Sequence, residues 1–243
     1  MEKSEECLIC REPLEYLEKG TLMECAICHR QEDSKTRCTK GHYVCNECHT
    51  QGMDAIIGLC MKETSRNPID IIQRMMELPF CHMHGPEHHV MVGAALLTAY
   101  RNAGGKLDFP AALMEMMKRG SSIPGGACGF WEACGAGIST GMFLSILSGS
   151  TPLKNEPFAL SHRMTAKALE RIGEIGGPRC CKRDSFLSIL AAIDFVGENC
   201  GVEMEKPEEV VCTYARQNNQ CIGKRCPFSK AMDNNSHPNA TGE

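Results

Sequence analysis

At 243 residues, with 26 basic and 30 acidic side chains and a net charge of −4, the chain can bury a real core and carries no basic stripe of the kind nucleic acid requires. No run reaches the ~18 apolar residues of a membrane span. Seventeen cysteines and fifteen methionines, against only 5% aromatic residues, are the departures from ordinary composition. They point to metal-bound or reactive thiols in a reducing compartment rather than disulfides, and to a mainly α fold packed with soft side chains.

The first residues, Met1 to Glu6, hold no apolar run of a signal peptide, so a cytoplasmic location is expected. Residues 1–52 read as a zinc-binding knuckle module. Cys7-x2-Cys10, Cys25-x2-Cys28 and Cys38-x3-His42-x2-Cys45-x2-Cys48 supply eight soft or borderline ligands. Zinc takes four in a tetrahedron, and each Cys-x-x-Cys turn gives two, so eight make two sites, interleaved or sequential. The stretch from Cys38 to Cys48 resembles the middle of a RING or treble-clef finger. It departs from the RING order, because the second knuckle precedes it. Cys25-Ala26-Ile27-Cys28-His29 and Cys45-Asn46-Glu47-Cys48-His49 also satisfy the c-type haem pattern, and four of these cysteines would suit an iron–sulfur centre. Haem attachment accompanies export, however, and about fifty residues with few apolar side chains need a structural metal to fold. Zinc is the expected occupant, with His29 and His49 outside its ligand set.

A helical, Cys/His-rich body is expected over 53–205. Helical periodicity runs from Met53 to Leu78 with a break at Asn67-Pro68. Next comes Cys81-His82-Met83-His84-Gly85-Pro86-Glu87-His88-His89, one cysteine and four histidines at the mouth of a helix that Pro86 starts and Gly104 ends. At a helix N-terminus the imidazole is expected neutral, the form that binds metals or moves protons. A short helix follows over 111–119, opened by Phe109-Pro110.

Residues 124–141 carry glycines at 125, 126, 129, 135, 137 and 141, two cysteines (Cys128 and Cys134) and the only tryptophan, Trp131. Such density marks tight bends or close approach, and the loop feeds an apolar helix whose N-terminus favours thiolates and anions. A ligand or cofactor loop is one reading; a glycine-rich turn packing two helices around inert cysteines is the other. After a helix over 164–175, Gly176-Gly177-Pro178-Arg179-Cys180-Cys181-Lys182-Arg183 repeats the theme. Pro178 in the first helical position would put both thiols in the first turn beside three cations, with depressed pKa values.

Residues 206–228 form a Cys-rich segment, Cys212-x8-Cys221-x4-Cys226-Pro227, expected to pack on the body. Three cysteines could hold a cubane cluster with one iron open, take a fourth ligand such as Cys200, or share a site with the body's thiols. Residues 229–243 read as a polar, disordered tail.

From Pro86-Glu87-His88-His89 through Cys128-Gly129-Phe130-Trp131, the 176–183 stretch and the C-terminal cysteines, the chain resembles an uncharacterised family of cysteine-rich proteins from anaerobic bacteria and methanogenic archaea. Relatives in that family are fused to, or labelled as, S-adenosylmethionine-dependent methyltransferases. The resemblance implies an anaerobic, oxygen-sensitive setting. A methyltransferase fold in this chain is not expected, because Glu132-Ala133-Cys134-Gly135-Ala136-Gly137 follows no apolar strand.

The expectation is a cytoplasmic metalloprotein, with structural zinc and a 4Fe-4S cluster, acting in redox, sulfur or methyl-group metabolism on a small-molecule substrate. Cys81, Cys128, Cys134, Cys212, Cys221 and Cys226 are its cofactor ligands. Cys180 and Cys181 are its nucleophiles or ligands, and His88 or His89 moves protons. The alternatives are a non-catalytic zinc-binding module that grips a protein partner, or a carrier of metal or sulfur. The enzymatic reading requires the thiols entering two helices from glycine hinges to gather in one pocket near the imidazoles.

Overall fold

A computed structural model describes residues 7, 9–10, 12–49 and 52–230, with the side chain of residue 49 excepted. The expected tail from 231 onward lies outside the described residues.

Two antiparallel strands organise the N-terminal part. β1 (Leu14–Glu24) pairs with β2 (Gln31–Cys38), in a register that sets Leu14 opposite Cys38 and Glu24 opposite Gln31. The ladder slips between Tyr16 and Thr21, a bulge that bends the hairpin. The turn at its tip is the Cys25–Cys28 knuckle, closed by the Cys25 N–H donating to the Arg30 carbonyl at 2.8 Å. A single helical turn, α1 (Asn46–His49), follows. Among the described residues of this part, the buried side chains apart from Met23 are cysteines, so they supply no apolar core with which to hold the module together. The hairpin was not legible in the sequence, because its polar and apolar residues do not alternate cleanly.

The body is a bundle of helices: α2 (Asp54–Lys62), α3 (Pro68–Met76), α4 (Glu87–Asn102), α5 (Phe109–Ser121), α6 (Ala127–Phe130), α7 (Gly135–Ser148), α8 (Asn155–Ile175) and α9 (Cys181–Cys200). Asn67 and Asp108 cap α3 and α5 through their side chains, accepting from Ile69 N–H at 2.9 Å and Ala111 N–H at 3.3 Å. α4 is buried without interruption from Glu87 to Ala99, which makes it the central post, against which α2, α3, α5, α7 and α9 pack. Small residues set the closest approaches. A Cβ on Gly135 would strike the His89 ring, one on Gly137 would meet Leu169, and one on Gly141 would lie 2.8 Å from the Ser161 carbonyl. Three glycines of the 124–141 stretch therefore serve helix packing.

Two helix starts differ from expectation. α8 begins nine residues before Met164, because its first turns are largely exposed and lack the apolar periodicity that marks its second half. Pro178 is not the first residue of α9: it lies in the loop, and Cys180 takes the N-cap position, with Asp184 accepting from its N–H at 3.4 Å. The segment after α9 runs without regular helix or strand beyond two 3-10 turns. It is tied to the body by the Glu205 N–H on the Arg66 carbonyl, by Gln73 on the Val211 carbonyl and by Phe228 edge-on to Phe186.

Candidate metal centres

The hairpin places the eight N-terminal ligands at its two ends. Cys7, Cys10, Cys38 and His42 gather at one, and Cys25, Cys28, Cys45 and Cys48 at the other, with all ligand atoms in each set within 4.8 Å of one another. The first pair meets the third and the second meets the fourth, an interleaved arrangement. Within the tetrads Cys10 and Cys38 stand 3.5 Å apart, Cys28 and Cys45 3.6 Å, and His42 Nδ1 is 3.2 Å from Cys10. Four thiolates at about 2.3 Å from one tetrahedral ion would be spaced much like this. Backbone N–H groups point at the sulfurs, Lys40 at Cys38 (3.1 Å) and Cys45 at Cys25 (3.3 Å). Burial raises both those thiols, but these donors outweigh it and bring Cys25 and Cys38 down to about 6. Cys45 and Cys48 go the other way, raised by burial and then by the sulfurs beside them. Four crowded thiols cannot all lose protons without a cation among them.

In the body, the C-terminal segment folds back on the start of α9. Cys180, Cys212, Cys221 and Cys226 line one small pocket, of about 20 Å³, together with Arg183 and Tyr214. The Cys180 thiol feels the charge of Cys212, and Cys212 feels Cys221 and Cys226. Three of the sulfurs accept polar hydrogens: from Asn218 Nδ2 on Cys180 (3.5 Å), Tyr214 N–H on Cys212 (3.4 Å) and Gly223 N–H on Cys221 (3.5 Å). Among the described residues, the groups with ligand atoms within 4.8 Å of one another do not include these four. Cys200, at the far end of α9, does not line the pocket.

Beside this pocket lies a buried polar centre. Cys81, Glu87 and His88 are all buried, with their ligand atoms within 4.8 Å of one another. Lys182, only 1% exposed, reaches from α9 and donates to Cys81 Sγ at 3.0 Å. Its ammonium also faces the Tyr214 ring at 4.8 Å, and Tyr214 in turn feels both Cys81 and Cys212. His88 is held neutral, its pKa pushed down to about 3 by burial and by the Lys182 charge; His89 is also lowered by burial. The neutral imidazoles agree with expectation, although burial rather than the helix terminus is the leading cause.

Cys128, Cys134 and Cys181 form a second group of thiols near the α9 start. Cys181 and Cys134 interact electrostatically, as do Cys134 and Cys128. His84 bridges the two groups, accepting from the Cys181 N–H at 3.4 Å and facing Asn218 Oδ1 at 3.3 Å. Arg179 ties all three parts of the chain together, donating to Gln220 at 3.0 Å and to the Tyr16 hydroxyl on the hairpin. The expected depression of the Cys180 and Cys181 pKa values is corrected. Burial pushes Cys180 up to about 11 and Cys181 well above the usual thiol value, with Cys134 up to about 12 and Cys128 raised too. Of the cations expected to activate these two thiols, Lys182 turns to Cys81, while Arg183 lowers Cys180 and Arg179 lowers Cys181 without offsetting burial. Successive residues in a helical turn point about 100° apart, so neighbours in sequence need not share a face. Sequence reasoning missed Lys182 as a partner for Cys81, since nothing local joins positions 101 residues apart. The exposed Trp131 (63%) takes no part in these groupings.

These groupings define a helical, cysteine-rich protein with residue clusters that could hold metal ions. Among the described residues no helix is long and apolar enough to cross a membrane. Residues 56–229 match the Family of unknown function (DUF5714), and the chain belongs to that family. No curated protein and no solved structure matches it.

Proposed function

We propose that the protein is a cytoplasmic metalloprotein in which the two N-terminal tetrads hold structural zinc and the body holds a 4Fe-4S cluster on Cys180, Cys212, Cys221 and Cys226. The observation that carries this reading is the convergence of a thiol from the start of α9 with three from the C-terminal segment around one pocket. A cubane takes four thiolates, and N–H···S donors with Arg183 in the wall favour an anionic cluster. Seventeen unpaired cysteines suit a reducing, anaerobic setting. A cluster with four cysteine ligands passes electrons rather than binding substrate. Tyr214 stands between it and the buried Cys81, Lys182 and His88 centre, where small-molecule redox, sulfur or methyl-group chemistry would occur.

Anaerobic purification tests the cluster. The wild-type chain is expected to be brown, with a broad visible band that dithionite bleaches. Cys212→Ser and Cys226→Ser should lose that band while keeping their zinc. A colourless wild-type protein that carries zinc alone would remove the cluster from the reading.

A further inference from the structure

We propose that Cys81, His88 and Glu87 form a third, mononuclear metal site, taking one divalent ion of the zinc or iron(II) class on three protein ligands with one coordination position left open. It is separate from the tetrads and from the C-terminal pocket, and it stands whether or not a cluster occupies that pocket.

Geometry prepares each ligand. The His88 Nδ1 lies 3.1 Å from the Gly85 carbonyl, which fixes the proton there and turns the Nε2 lone pair toward Cys81 Sγ, 3.9 Å away. A metal-binding histidine is commonly oriented in this way by a backbone carbonyl on its other nitrogen. Glu87, fully buried in the first turn of α4, accepts from the His82 N–H at 2.8 Å, so its carboxylate is held against that loop. Cys81 Sγ accepts from Lys182 Nζ at 3.0 Å, a contact that holds the sulfur in place beside the imidazole.

The three side chains converge out of water: all are buried, and their ligand atoms lie within 4.8 Å of one another. The S, N, O donor set suits zinc or iron(II) and disfavours magnesium or calcium, which prefer oxygen alone. Three protein ligands and an open position are the pattern of catalytic rather than structural zinc. Lys182, beside the sulfur, would stand over whatever enters that position.

Crystals of the anaerobically purified wild-type chain, measured at the zinc and iron absorption edges, provide the test. An anomalous peak within bonding distance of Cys81 Sγ and His88 Nε2 is expected, distinct in position from peaks at the tetrads and at the Cys212 pocket. Metal analysis of Cys81→Ser and His88→Gln should show a loss of about one ion per chain with acid-labile sulfide unchanged. Wild-type crystals with metal in the tetrads and none between Cys81 and His88 would overturn the site, as would folded variants that keep the full metal count. Loss of peaks at the C-terminal pocket alone would instead count against the cluster.

Discussion

Cys180 shows how a helix start can mislead. N-terminal N–H groups and nearby cations normally lower a thiol's pKa, yet burial dominates here and the pKa sits near 11. A thiol so placed is a poor free nucleophile, though a good ligand once a metal replaces its proton. The histidines of α4 obey the same rule with the opposite sign. His89, facing the Ile123 carbonyl at 3.2 Å, is held neutral by burial, so its folded pKa lies below its unfolded value. The stability it contributes is therefore complete above pH ~6.5 and drains away as pH falls toward the folded value, at up to about 1.4 kcal/mol per pH unit, because only the unfolded chain takes up the proton. His89→Gln retains a donor for Ile123 and should flatten this acid limb. Denaturant titrations at a series of pH values below neutrality measure it, and an unchanged limb would show that His89 is not the group responsible.

At the scale of elements, the hairpin and the bundle are stabilised by different means. The bundle has a continuous apolar core around α4, and its glycines let α7 lie close to α4 and α8. The hairpin has cysteines where a core would be. Metal binding is then folding free energy for the module, on the order of 10 kcal/mol for a structural zinc site. Cys38, at the end of β2 opposite Leu14, belongs to the tetrad that closes the open end of the ladder. Cys38→Ser is predicted to lose about one zinc per chain and to expose residues 12–38 to protease, while the bundle keeps its thermal transition. Equal zinc content and equal protease resistance in the variant would contradict a metal-held module.

Across the whole molecule, what could be read in advance was whatever is local. The eight finger ligands lie in short repeats, and α3, α4 and α7 announce themselves by apolar spacing, Asn67-Pro68, Pro86 and the glycines before Ile138. The pairings between distant segments were not legible. Nothing in the spacing of Cys212, Cys221 and Cys226 points to Cys180 rather than Cys200, and the choice follows from the way residues 201–230 run back across α3 to the start of α9. The vicinal pair Cys180-Cys181 looked like one site, but it divides between the C-terminal pocket and the group with Cys134. The three helix starts at Glu87, Gly135 and Cys181 nonetheless bring thiols and imidazoles to one end of the bundle, linked by His84, Lys182 and Tyr214.

The cluster proposed for the body depends on those C-terminal thiols holding iron and sulfide. The most direct measurement is the ratio of iron, acid-labile sulfide and zinc per chain, determined anaerobically for the wild type and for Cys221→Ser. About four iron and four sulfide beside at least two zinc are predicted for the wild type, with iron and sulfide falling together in the variant while the tetrad zinc stays. Iron and sulfide absent from the wild type, or undiminished in Cys221→Ser, would contradict it.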